Sequence, residues 1–424
     1  MKLNSYCFIF GAALVLAAGC KKAQNPSDVL APTKNGVPTS SVNGFPIADA
    51  GGRVVAFDDD DGTGLSNLLC YDLVSGSVNL VHVSGGTLTN VWAQQTGFVM
   101  DNAPTFHIDQ ATWDNAATDN YNEVGGVHVT AMDLNGSGHQ DHIVVYIPGK
   151  GIAMILQPST SVAGEWHMVW PTNGAYSTSG IAGYDLKGPT DKILAYGINS
   201  ASKNGLVVYR PGNGFFWVLQ NQSSTPSNPD WVAVVKRSNG LGNFSLSNAN
   251  DQIIVVDYNP SGGEYDLLFY RPGQGDANYF SHTPNTPTFT QEYTTAEGLP
   301  GAPLNAVQDR IMPYDANGSF WQNYLLCFAP GGGANSEWLD AISGTVAGGD
   351  PLSTNFNYPL NLNPYPSGTT PGTGEGDKFV AIQGNAGLST LVCYQNGNSF
   401  AQIWEESNPG AVGANGAISY TQVY

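Results

Sequence analysis

Charge is scarce in this chain of 424 residues: Asp, Glu, Lys and Arg make up 12%, about half the share of an ordinary globular domain. Basic residues are scarcest, 15 Lys and Arg against 34 Asp and Glu, giving a net charge of −19 and a pI near 4.4. No basic stripe exists to neutralise phosphates, which excludes a nucleic-acid-binding role. Signatures of common enzyme chemistry are missing too. There is no Gly-x-Ser-x-Gly, His-Glu-x-x-His, P-loop or Cys-x-x-Cys, so no nucleophile elbow, zinc-protease helix or phosphate cradle is spelled out. Long apolar runs are also absent. The N-terminal stretch from Phe8 to Ala18 is too short to span a bilayer. What abounds is Gly and Pro, 52 and 26 residues, which argues against long helices and for short strands joined by turns. Hydrophobic residues at 41%, with 11% aromatic, supply a large core and exclude wholesale disorder.

The N-terminus reads as an export signal over 1–19, with Lys2 ahead of the apolar run. It ends in Leu16-Ala17-Ala18-Gly19-Cys20. This segment resembles the lipobox of bacterial lipoproteins, although the branched aliphatic stands one position early. The resemblance implies lipidation of Cys20 and, with Lys21-Lys22 and no Asp after the Cys, an outer-membrane address. Residues 20–45, with Pro26, Pro32 and Pro38 among Ser, Thr, Asn and Gly, read as a flexible tether. On this reading the membrane is engaged only through the anchor.

The body, 46–424, repeats itself. Stretches beginning at Arg53, Val127, Lys192, Gln252, Arg310 and Lys378 each read apolar strand, polar turn, apolar strand ending in an aromatic, then turn. The aromatics are Tyr71, Tyr146, Tyr209, Tyr270, Phe328 and Tyr394, spaced by about 65 residues. In four repeats an Asp precedes the aromatic by a constant interval: Asp58, Asp133, Asp257 and Asp315. Third strands are visible in 151–157, 215–220 and 400–405, and fourth strands in 165–170 and 418–424. Four antiparallel strands per unit predict an all-β fold, a β-propeller of four-stranded blades. Six blades fill the body; seven is the alternative, with 232–242 as a degenerate extra blade.

The turn Asp133-Leu-Asn-Gly-Ser-Gly-His-Gln-Asp141 and the hairpins Tyr209-Arg-Pro-Gly-Asn-Gly and Tyr270-Arg-Pro-Gly-Gln-Gly resemble the FG-GAP/VCBS repeats of integrin-like propellers. Hard cations such as calcium take several oxygens converging from one loop. Asp133, Asn135, Ser137 and Asp141 fall at alternating positions that suit such a loop, as do Asp59, Asp61, Thr63 and Asn67. The resemblance implies structural calcium there. The other reading is an Asx-turn, in which Asp and Asn bond their own backbone. The turns at Asp257 and Asp315 carry fewer suitable ligands.

Cys70, Cys327 and Cys393 each sit just before the repeat's aromatic. Equivalent slots on different blades lie too far apart for a disulfide, so these read as free core residues. Asp191, Asp251, Asp309 and Asp377 each stand just before a first strand, where an acid can bond backbone N–H groups of the preceding turn. His139 and His142 read as solvent-exposed turn residues. Glu405 and Glu406 are strand neighbours whose side chains take opposite faces, unlike a glycosidase pair.

Aromatic residues inside the inter-strand turns, Tyr258 and Tyr265 in the fourth repeat and Phe320 and Trp321 in the fifth, either pack locally or stack on a ligand. Sugars present C–H faces to such rings. The function expected is therefore a surface-anchored, lectin-like binding protein. Low positive charge favours neutral sugars there. The alternatives are a scaffold with an envelope protein as partner, and a polysaccharide lyase or hydrolase, for which the sequence supplies no positive evidence.

Overall fold

A computed structural model describes residues 41–42, 45–46, 51–58, 67–84, 87–108, 126–137, 139–197, 204–225, 227–256, 266–283, 286–299, 304–314, 324–328, 337–341, 358–359, 377–383, 389–395, 400–406 and 420–422. Strands are the only regular elements among them. After a two-stranded pairing of Ser41–Val42 with Phe45–Pro46, six larger antiparallel sheets succeed one another along the chain, their strands side by side in sequence order except that Gln95–Thr96 returns to pair with Ser77–Ser84. We number these blades 1 to 6.

The first strands are Gly52–Phe57, His128–Met132, Lys192–Tyr196, Gln252–Val256, Arg310–Tyr314 and Asp377–Gln383. The second strands are Asn67–Asp72, His142–Ile147, Gly205–Arg210, Asp266–Arg271, Tyr324–Phe328 and Ser389–Gln395. Third strands include Ile152–Pro158, Phe215–Asn221 and Phe400–Glu406, and fourth strands Trp166–Trp170 and Tyr420–Gln422. Each lies within a residue or two of its expected place. First strands of blades 1 to 5 touch in succession, and the first strand of blade 1 also meets that of blade 6. The architecture is a β-propeller. The segment weighed as a seventh blade is instead the fourth strand of blade 3, Trp231–Arg237, paired to Phe215–Asn221.

Burial explains the near-continuous apolar second strands. Alternate side chains of one strand serve two different cores. In blade 1, Leu69 and Tyr71 pack with Ile143, Val145 and Ile147 of blade 2, while Leu68 and Cys70 pack with Val392 and Tyr394 of blade 6. In blade 3, Leu206 and Val208 face blade 2, and Val207 and Tyr209 face blade 4. The three body cysteines are buried and form no disulfide with one another, as expected. Burial pushes the Cys70 thiol up to about 12, so it stays protonated and unreactive.

The repeat's aromatic does more than fill space. Its hydroxyl accepts the backbone N–H of the second residue in the next blade's repeat. Tyr146 takes Ile193 at 3.1 Å, Tyr209 takes Ile253 at 3.3 Å, and Tyr270 takes Ile311 at 3.3 Å. Tyr394 takes Val54 at 3.3 Å, which joins the last blade to the first. Phe328 has no hydroxyl to offer, and its ring instead meets Phe379 edge-on at 4.7 Å.

The links into blades 3, 4 and 5 share a second device. Gly180 to Asp191, Gly240 to Asp251 and Gly298 to Asp309 have equal length. A Cβ at Gly180 would stand 1.7 Å from the Tyr184 carbonyl oxygen, and one at Gly240 would stand 1.8 Å from that of Phe244. Leu186, Leu246 and Leu304 are buried with left-handed φ of 50°, 50° and 51°, a conformation costing roughly 1–3 kcal/mol. That twist turns their carbonyls onto the hairpin glycines of the preceding blade. Leu186 accepts from Gly149 and Gly151, Leu246 from Gly212 and Gly214, and Leu304 from Gly273. The closing acids behave as expected. Asp191, Asp251 and Asp309 accept from the N–H groups of Gly188, Asn248 and Ala306 at 2.7, 2.9 and 2.8 Å. Asp377 carries no described side chain.

Candidate functional site

The Asp133 turn lies at the end of blade 2 where the first strand passes into the second. Asp133 and Asn135 both accept the Ser137 N–H, at 3.0 and 2.9 Å. The Asn135 amide donates to Asp141 at 3.0 Å, and Gly136 lets the turn curl with φ of 74°. This is an Asx network, and it also gathers two carboxylates, an amide and a hydroxyl around one turn. All four side chains carry an oxygen, a set of atoms of the type hard cations take. Among the described residues no three His, Cys, Asp or Glu side chains converge as a metal group.

His139 reaches across to blade 1, its Nδ1 2.7 Å from Asp58. His142 differs from expectation. It is buried in the second strand with Nδ1 2.5 Å from Asp141, because the strand begins there and draws the ring into the blade. Asn67 is likewise a buried strand residue, its side-chain oxygen 2.9 Å from His82. Asp59, Asp61, Thr63, Tyr258, Tyr265, Phe320, Trp321 and Cys20 lie outside the described residues.

The site that sequence reasoning missed is axial. One residue near the start of each first strand lines one cavity of about 360 Å³: Arg53, His128, Lys192, Gln252, Arg310 and Lys378. Strand pairing sets each opposite its own blade's aromatic: Arg53 with Tyr71, His128 with Tyr146, Lys192 with Tyr209, Gln252 with Tyr270, Arg310 with Phe328, and Lys378 with Tyr394. A polar ring therefore lies over an aromatic layer. His128 stacks on Tyr146 with centroids 5.2 Å apart, and the Lys378 ammonium stands 6.0 Å from the Tyr394 centroid. Arg53 donates to the Gly52 carbonyl at 2.7 Å, and Arg310 to those of Val307 and Asp309 at 2.5 and 2.8 Å. No carboxylate lines the cavity among the described residues. The signal was present in the sequence: Arg, His, Lys, Gln, Arg and Lys each stand at or next to the start of an apolar first strand.

A second cavity of similar size lies beside blade 4, lined by Phe244, Asn278 and Thr294 among others. Its cation, Arg271, is held by Asp251 at 2.6 Å and Asp276 at 3.1 Å, so its charge is already spent. A Ser, Asp and His also meet in blade 2. There Ser159 and His167 both bond Asp101, the latter at 2.8 Å. With the carboxylate between them, hydroxyl and imidazole are not a nucleophile and its base. The cluster ties the segment at Asp101 to the fourth strand.

No family model matches the sequence, and no curated protein does. Solved structures resemble the fold. The β-propeller domain of Cps50 (Swd1) from Myceliophteria thermophila is 11% identical, over 83% of this chain and 96% of that one, with a TM-score of 0.40. The periplasmic gluconolactonase PpgL of Pseudomonas aeruginosa is 13% identical, over 71% of this chain and 67% of its own, with a TM-score of 0.36. Kluyveromyces lactis Hsv2 is 13% identical, over 88% and 98%, with a TM-score of 0.36. The assignment of the fold rests on the sheet topology described above, and no activity is carried over from these proteins.

Proposed function

We propose that the chain is a lipid-anchored envelope protein that binds a sugar-sized polar ligand in the axial cavity. The observation that supports this is the equivalence of the six lining positions. Each blade brings a residue from the start of its first strand to one cavity of about 360 Å³, a volume in the range of small-ligand sites. Mixed donors above aromatic rings suit a ligand rich in hydroxyls. Among the described residues the lining offers no pair of carboxylates of the kind glycoside hydrolysis uses, which favours the binding reading at this place. The Leu16 to Cys20 segment and the tether at 20–45 support anchorage through Cys20. The Asp133 to Asp141 turn supports kinship with FG-GAP/VCBS repeats.

The test uses the full chain and its Cys20→Ser variant. The former should sediment with membranes and the latter should not. Screened on a glycan array, the soluble variant should bind sugar, and Thr130→Trp, which fills the cavity, should abolish that binding. Trp321→Ala should leave it intact. Loss with Trp321→Ala alone moves the site to the turn face. Silence across the array together with a co-purifying envelope protein favours the scaffold reading.

A further inference from the structure

Blades 3 and 4 use one equivalent place differently. The link into each brings a ring to the arginine that ends the second strand. Tyr184 has its centroid 5.5 Å from the Arg210 guanidinium, and Phe244 has its own 5.1 Å from that of Arg271. In blade 3 the space beside this pair is filled. Trp217 meets Tyr184 edge-on at 5.3 Å, Lys236 lies over the indole at 4.5 Å, and the Phe215 ring stands 5.3 Å from Arg210. Strand pairing puts Asp276, Asn278 and Thr294 at the places of Phe215, Trp217 and Lys236. Three smaller polar side chains thus replace two rings and a lysine stem, and the cavity beside blade 4, about 360 Å³, stands there. Asn278, 4% exposed, lines it with an unmet bond. Its Oδ1 accepts the Thr294 hydroxyl at 3.0 Å, while its amide nitrogen meets no acceptor among the described residues. Turning the amide over still leaves one polar atom without a partner. A buried group in that state is costly unless something in the cavity satisfies it. Asp276, two residues back on the strand, faces the same side. One of its oxygens takes Arg271 at 3.1 Å, and the other meets no described donor.

We propose that this cavity is a second binding site, taking a neutral hexose unit with one hydroxyl accepting from the Asn278 amide and another donating to Asp276. Hydroxyls both donate and accept, which suits a donor and an acceptor set side by side. Arg271 adds no surplus charge for an anion, because Asp251 at 2.6 Å and Asp276 at 3.1 Å already hold it. Phe244 is buried against Arg271 and Phe269, so no open ring face is left for a flat apolar ligand. With neutral hydrogen bonds and no stacking, affinity is millimolar, too weak to survive the washing of an array. The site is independent of the axial cavity, and the test keeps the two apart. Saturation-transfer NMR is run on the full chain carrying Cys20→Ser, with and without Thr130→Trp, using the methyl glycosides of glucose, galactose, mannose and fucose at millimolar concentration. At least one should receive saturation in the Thr130→Trp protein. Asn278→Trp, which installs the residue of blade 3, should abolish that signal. Asn278→Leu and Asp276→Asn, which change little volume, should weaken it several-fold and keep the test valid if the Trp variant fails to fold. A signal indifferent to all three substitutions overturns the proposal. A signal present only without Thr130→Trp overturns it while leaving the axial site in place, and no signal in either protein overturns both. Glucosamine bound in preference to the neutral glycosides, and lost with Asp276→Asn, overturns the neutral class in favour of a cation.

Discussion

His282 ends the third strand of blade 4 with its ring stacked on Phe289, centroids 4.7 Å apart, and near Tyr196 at 5.7 Å. Burial lowers its pKa below the ordinary value, while its bond to the Thr286 carbonyl at 2.5 Å opposes that shift. The neutral ring therefore donates from Nε2. An unfolded His takes up a proton near pH 6.5; the folded one resists until lower pH. The native state thus holds fewer protons in that window, so stability is full above about pH 6.5 and falls as pH drops below it. His282→Phe keeps the stack and removes the titration. Urea midpoints at pH 7.5 and 5.5 should differ less in the variant than in the parent. An unchanged difference would assign the acid sensitivity to other groups.

At the scale of elements, the Asp133 turn offers a second experiment. Its four oxygen-bearing side chains suit calcium, and the proposal is that the ion stiffens the end of blade 2. A ligand bound only by the folded state adds about 2.7 kcal/mol at a hundredfold excess over Kd. Melting should rise in calcium relative to chelator, and Asp133→Ala should remove part of that rise. Identical melting in both would leave the turn as an Asx network alone. The blades themselves were legible because strand, turn and aromatic recur with their apolar residues in phase. The Asp191, Asp251 and Asp309 turns were legible for the same reason. Two features were not. Leu186, Leu246 and Leu304 look like ordinary core residues, and nothing in a leucine announces a left-handed backbone it normally avoids. The axial ring is marked by polar residues that vary from blade to blade, so a reading that follows apolar periodicity passes over it. Its members come together only when six distant strands converge.

For the whole molecule, what matters is that the ring closes. Hydrophobic cores join blade 1 to blade 2 on one side and to blade 6 on the other, and the Tyr394 hydroxyl accepts the Val54 N–H across the latter seam. Tyr394→Phe keeps the packing and removes the acceptor from a buried amide, which costs about 1–3 kcal/mol. Tyr270→Phe, one seam between consecutive blades, should cost a similar amount, because the bond length and surroundings are alike. Denaturant unfolding measures both. If Tyr394→Phe is neutral while Tyr270→Phe is not, the seam between the chain's two ends is held by apolar contact alone.

The two layers around the axis also differ in how they tolerate change. Five of the six positions in the aromatic layer are tyrosine, and that layer holds one blade to the next. The layer above it runs through arginine, histidine, lysine and glutamine while the strands beneath keep one geometry. Copying a blade therefore copies the joint, and on the proposed reading a later single substitution at the residue facing the axis can reset what the cavity binds without loosening the wheel. On that reading the ligand of such a molecule changes one spoke at a time.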